Sequence, residues 1–127
     1  MFKIAKMRPL AERPMEYYLG TNDETIVIGE ALVLNGGKLT KCGATVVPEF
    51  IAMGPTVGGK LPVVRVMEED TFEAPLSAAG NALKVGDKVT LSGTGLEVTA
   101  TTASGVFTIT KINGTEIGDT IEGMFRR

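Results

Sequence analysis

The chain has 127 residues, 43% of them hydrophobic, with a formal net charge of −2, 16 glycines, a single cysteine and no histidine. That length specifies one domain, or two small lobes sharing a core, and it buries enough surface to fold without a disulfide or metal staple. A lone Cys42 excludes an internal disulfide, no run approaches about 18 apolar residues, and Met1-Phe2-Lys3-Ile4-Ala5-Lys6 lacks an apolar signal core, so the expectation is a soluble protein that stays where it is made.

Residues 1–15 carry Pro9 and Pro14 and read as an extended N-terminal arm, with Phe2, Ile4 and Met7 suited to pairing at a sheet edge. Glu16 to Gly20 is a short strand, ended by the polar turn Thr21-Asn22-Asp23-Glu24. Thr25 to Leu34 is a strand pair or one bent strand, with Gly29 at the corner. Asn35-Gly36-Gly37 is a hairpin turn, because its central positions tolerate positive φ, and Lys38 to Cys42 returns as the partner strand. Pro48 to Met53 and Lys60 to Glu68 are strands on either side of the loop 54–59, and Pro62 marks a strand start or an edge.

Residues 70–83 carry no clear β pattern, so Ala74 to Gly80 reads as a helical turn or a crossing loop. Lys88 to Ser92, Gly95 to Thr101, Val106 to Ile112 and Thr120 to Phe125 are the later strands, with Asn113-Gly114 as a hairpin or tight turn. No segment of ten or more residues shows helical apolar spacing. The expectation is an all-β chain: an arm over 1–15 and a single β domain over 16–127. That domain is a compact small β-barrel or barrel-like sandwich, since closure removes the edges that many short strands create.

A repeat organises this pattern. Ile28-Gly29-Glu30-Ala31-Leu32-Val33-Leu34-Asn35-Gly36 and Val85-Gly86-Asp87-Lys88-Val89-Thr90-Leu91-Ser92-Gly93 match at an offset of 57 residues. Phe50 then falls on Phe107, Val64 on Ile121 and Met67 on Met124. Two similar β units, about 20–69 and 80–125, are therefore expected, with Gly29 and Gly86 at equivalent corners and Leu34 and Leu91 in equivalent core positions. Gly118-Asp119-Thr120-Ile121 is a third glycine–acid turn of the same kind.

The candidates for chemistry are thin. Gly54-Pro55-Thr56-Val57-Gly58-Gly59-Lys60 matches the glycine and lysine positions of a phosphate loop, but Leu61 cannot hold magnesium and a strand follows instead of a helix. Glu68-Glu69-Asp70, with Glu73 nearby, lacks calcium-loop spacing and reads as a solvated turn. Without histidine, Ser77, Ser92, Ser104 and Cys42 have no imidazole base, and no carboxylate pair stands out for hydrolysis. Thr99, Thr101, Thr102, Thr108 and Thr110 suit a solvated sheet face or a flat threonine ladder. No catalytic residue, cofactor or metal ligand is assigned, and enzymatic activity is not expected.

Charge is unevenly placed. Lys3, Lys6, Arg8, Arg13, Arg126 and Arg127 stand against Glu12 at the two ends, giving +5, whereas residues 14–125 hold seven bases against fourteen acids, giving −7. Basic ends on an acidic body steer docking to an acidic partner, or are simply solvated termini. Few aromatics accompany them, so a nucleic-acid groove is not expected, and no membrane partner is expected either.

The glycine–acid turns, the Ile26 to Leu34 strand, Pro62-Val63-Val64-Arg65-Val66 and Gly86-Asp87-Lys88-Val89-Thr90-Leu91 together resemble the small head decoration (cement) proteins of tailed bacteriophages. The resemblance spans most of residues 20–125 and rests on pattern. It implies a structural virion protein made in the bacterial cytoplasm and carried on the capsid exterior. There it would bridge major capsid subunits, often as a homotrimer, through a terminal arm. Phe2, Lys3, Ile4, Lys6, Arg8, Arg13, Arg126 and Arg127 would then be the partner-binding residues. The competing expectations are a non-enzymatic β-barrel binding module and a head–tail connector or tail component.

Overall fold

The computed structural model describes residues 1–6, 15–20, 25–56 and 58–125. Met7, Arg8, Arg13, Arg126 and Arg127, named above, lie outside the described residues. Among those described there are ten strands: β1 (Lys3–Lys6), β2 (Glu16–Gly20), β3 (Ala31–Asn35), β4 (Lys38–Lys41), β5 (Phe50–Ala52), β6 (Lys60–Arg65), β7 (Thr71–Pro75), β8 (Lys88–Val89), β9 (Phe107–Ile112) and β10 (Thr120–Phe125). They form two sheets. One is a closed barrel in the order β2-β4-β3-β5-β6, sealed where β6 pairs with β2, and the other is a five-stranded sheet in the order β1-β7-β10-β9-β8.

Strands β7 and β8 of the second sheet are joined through one residue. Past β8, Leu91 bridges Val98 antiparallel, and past β7, Leu76 bridges Val98 in parallel. Backbone bonds from Ser77 N to Val98 O (2.8 Å) and from Val98 N to Pro75 O (3.0 Å) hold the parallel side. The first barrel likewise has one parallel seam, between β2 and β4. Strand order around the two rings therefore corresponds, with the segment around Val98 standing where β4 stands and β7 where β2 stands.

The corners of the two segments make matching bonds. Gly29 (φ 83°) and Gly86 (φ 98°) each supply the positive φ that a tight turn needs. Glu30 N then donates to Val27 O at 3.2 Å, and Asp87 N to Lys84 O at 3.0 Å. From each corner the same ladder follows. Gly29 N and Gly86 N donate to Ala52 O and Ile109 O at 2.7 and 2.8 Å, and Glu49 N and Val106 N donate to Leu32 O and Val89 O at 2.9 Å. Leu32 faces Phe50 as Val89 faces Phe107. Glu116 to Asp119 forms a further turn of this kind, with Gly118 at φ 91° and Asp119 N donating to Glu116 O at 3.0 Å.

The correspondence then breaks. Gly36 and Gly37 (φ 61° and 79°) close β3 onto β4 with a two-residue turn, so Leu34 faces Leu39. In the second hairpin Ser92 N donates to Glu97 O at 2.9 Å across a four-residue loop, and Leu91 faces Val98. Leu91 is buried in the second core, whereas Leu34 is half-buried and packs against the first. The returning strand also slips. Phe50 faces Arg65 but Phe107 faces Phe125, three residues beyond the 57-residue offset.

Alternation sorts the core. Leu32, Leu39, Phe50, Ala52, Leu61 and Val63 fill the first barrel, with Tyr18, Ile26 and Leu34 packed against them. The intervening Ala31, Ile51 and Val64 point the opposite way into a second, larger core, so β3, β5 and β6 are covered on both faces. That core holds Phe2, Phe72, Phe107 and Phe125, with neighbouring ring centroids 5.1–5.9 Å apart. Burying each such ring contributes roughly 1.5–3 kcal/mol.

Several expected elements change. Residues 71–75, expected as loop or helical turn, form β7, paired to both β1 and β10. The bent strand expected over 25–34 is a turn followed by β3 alone, and Gly95 to Thr101 contributes bridges rather than a regular strand. Asn113-Gly114 opens the connection of the β9–β10 hairpin, which runs from 113 to 119.

Candidate partner-binding surfaces

Of the N-terminal residues that the resemblance assigns to partner binding, Phe2 packs in this chain's own core. Phe2 is 2% exposed, packs at 5.9 Å from the Phe107 ring and 5.3 Å from that of Phe125, and donates its N–H to Gly29 O at 3.0 Å. The Met1 ammonium donates to Leu96 O at 2.6 Å, and burial lowers its pKa. Ile4 faces Phe72 and packs on the same core, while Lys3 and Lys6 remain exposed on β1. The strand lies along β7 beside the bridge to Val98, so it completes the wall of the second ring. Lys3 and Lys6 are thus the exposed charges of β1, while Phe2, just before it, is buried.

A charged cluster closes one mouth of the barrel. Arg65 follows Leu61 and Val63 on the inward side of β6, where it reaches past the barrel rim to Glu16. Its Nε and Nη2 donate to the two carboxylate oxygens of Glu16 at 3.0 and 2.8 Å, a forked pairing that suits guanidinium and carboxylate. Tyr18 donates its hydroxyl to Glu16 Oε1 at 2.8 Å, and the Arg65 guanidinium lies 4.9 Å over the Phe50 ring. The Arg65 bonds, then the Tyr18 bond, hold the Glu16 carboxyl below its usual range, and the Glu16 bond pushes the Tyr18 hydroxyl up.

Beside this cluster lies a cleft of about 340 Å³, lined by Val47, Glu49, Val66, Met67, Glu68 and Glu69 around Arg65 and Phe125. Glu68 and Glu69 are solvated as expected, but Asp70 is not. It is fully buried, and its Oδ2 accepts from Met67 N at 3.4 Å while its own N–H donates to Met67 O at 3.1 Å. The acidic run is therefore a tight turn with a buried capping carboxylate, which positions Met67 and the two glutamates along the cleft rim.

The outer face of β2 is the third surface. Alternation puts Glu16 and Tyr18 towards the barrel and leaves Met15, Tyr17 and Leu19 outside, exposed by 50%, 57% and 48%. Leu19 stands in register with Lys38 on β4 and with Lys60 on β6, so an exposed lysine flanks it on each side. From the sequence alone, residues 16–20 read only as a strand. The period-two alternation that exposes these side chains was legible there, but which face would be covered was not.

The remaining candidates carry structural bonds. Cys42 is buried, and that burial pushes its thiol pKa up to about 12. Ser77 donates to Val98 O at 3.2 Å, and the hydroxyls of Thr90 and Thr99 share a bond of 2.7 Å. Gly58 and Gly59 form the turn into β6, with strand rather than helix following. Among the described residues no group of three acidic or cysteine side chains is placed to hold a metal, and no helix is long and apolar enough to cross a membrane. No protein-family model matches the chain, and no curated protein matches it.

Proposed function

We propose that this chain is a structural virion protein of the head-decoration type, which binds the outer surface of a phage capsid and stabilises the shell by bridging major capsid subunits. The observation that supports this reading is the use of the strands. They are spent on two small, glycine-cornered rings packed into one body, and the exposed groups are ridges, lysines and a shallow cleft. Such a body suits holding other proteins in place. Lys3 and Lys6, solvent-facing on β1, are the groups that would meet an acidic capsid surface. On a lattice, many modest contacts of this kind add up to tight retention.

Co-sedimentation with expanded capsid shells tests the reading. A decoration protein pellets with the shells to a fixed stoichiometry, and reversing Lys3 and Lys6 to glutamate weakens retention. A protein that stays in the supernatant at saturating concentration is a binding module or connector component instead. Deleting residues 2–13 is not a clean test, because it removes Phe2 from the core as well as any outside contact.

A further inference from the structure

The outer face of β2 and the cleft beside β6 complement one another. The first is an apolar ridge, Met15, Tyr17 and Leu19, with an exposed lysine on each side of Leu19. The second is a cleft of about 340 Å³ whose apolar walls include Val47, Val66 and the exposed Met67, and whose rim carries the exposed Glu68 and Glu69. Its one cation, among the described lining residues, is Arg65, whose guanidinium is already engaged by Glu16. The cleft thus presents an acidic rim, and it has room for a tyrosine or leucine side chain.

We propose that the β2 ridge of one copy seats in this cleft on a second copy, with Tyr17 and Leu19 as the buried centre and Lys38 and Lys60 meeting Glu68 and Glu69 at the rim. Apolar anchors inside a polar, oppositely charged border are the usual anatomy of a specific protein interface. Ridge and cleft are different patches, so the contact is heterologous: each copy offers a ridge to one neighbour and a cleft to another. This goes beyond the self-association that the resemblance implies by naming the two surfaces, and association in solution requires no capsid. Failure to bind shells would leave it standing.

Light scattering after size exclusion reads the association of the full chain. The wild type is expected at a mass that is a multiple of 13.4 kDa at high micromolar concentration. Tyr17→Ala, Lys38→Glu with Lys60→Glu, and Glu68→Lys with Glu69→Lys each weaken association on the order of tenfold or more. All three sets are at exposed positions, so a thermal melt close to wild type shows that the fold persists. Mixing a Tyr17→Ala ridge variant with a Glu68→Lys, Glu69→Lys cleft variant should give one-to-one pairs that grow no further, since one good ridge and one good cleft remain. Combining both lysine and glutamate reversals in one chain should restore association. A monomeric wild type, or cleft reversals that leave its association unchanged, overturns the proposal.

Discussion

The first ring closes with its own strands, whereas the second closes through single-residue bridges and needs the N-terminal strand beside them. The difference starts in the hairpins. Gly36-Gly37 makes the tightest connection available, so β3 and β4 run as a regular pair. With the four-residue loop after Ser92, the second hairpin pairs through the isolated Leu91–Val98 bridge rather than a regular strand pair. A weaker hairpin leaves part of β7 without a neighbour, and β1 occupies it, bringing Phe2 into a cluster with Phe107 and Phe125. One corner and one strand pairing, used twice, thus give a self-contained ring and a ring that depends on a distant segment.

Phe107→Ala and Phe50→Ala break this comparison hardest. Each ring is fully buried, and each deletion should cost about 3–5 kcal/mol in chemical denaturation. The Phe107 change should lie at the upper end, because it contacts both Phe2 and Phe125, whereas Phe50 meets Tyr18 and the Arg65 guanidinium.

The corner glycines come next. A side chain at Gly86 meets open space and costs only the positive-φ strain, about 1–2 kcal/mol for alanine. At Gly29 the same Cβ would overlap the Met1 side chain, which lies over that corner, so Gly29→Ala should cost more. Equal losses at the two positions would mean that Met1 does not hold its place.

Smaller still is the contrast between the hairpin turns. Gly37→Ala should lower stability by about 1–2 kcal/mol through its φ of 79°. Gly93, with no such φ and open space around it, should accept alanine with no loss, or with a gain of about 0.4–1 kcal/mol. The Arg65–Glu16 pair is exposed, so removing it with Arg65→Met should cost only about 0.2–1 kcal/mol. Its pH signature has a definite sign. The Glu16 carboxyl is held below its unfolded value, so the contribution is present above that value and fades as pH falls through the lowered one. Cys42 gives the opposite limb. Its pKa is raised from 9.0 to about 12, so stability holds below 9 and declines as pH climbs from 9 towards 12. Thiol-directed alkylation at pH 8 should be slow in the native protein and fast in denaturant.

Much of this was legible in the sequence where local chemistry decides. The corners at Gly29, Gly86 and Gly118 and the Gly36-Gly37 turn follow from residues that alone tolerate those angles. What escaped was decided at long range. Thr71 to Pro75 has only Phe72 and Ala74 as an apolar face and ends in proline, so nothing local marks it as β7, which lies between β1 and β10. The fate of Phe2 was hidden for the same reason. An apolar residue in a basic segment looks like an anchor for another molecule until a cavity for it is found in this one. Likewise, the alternation of Met15, Tyr17 and Leu19 was visible, but not that their face would stay uncovered.

Native-state amide hydrogen exchange on a Phe2→Ala variant tests the dependence of the second ring on the N-terminal strand most directly. Protection should fall first and furthest at Gly86, Val106 and Ile109, whose amides knit the second ring, while the matching amides of Gly29, Glu49 and Ala52 retain more of theirs. Equal loss at both sets, or protection unchanged from wild type, would contradict it.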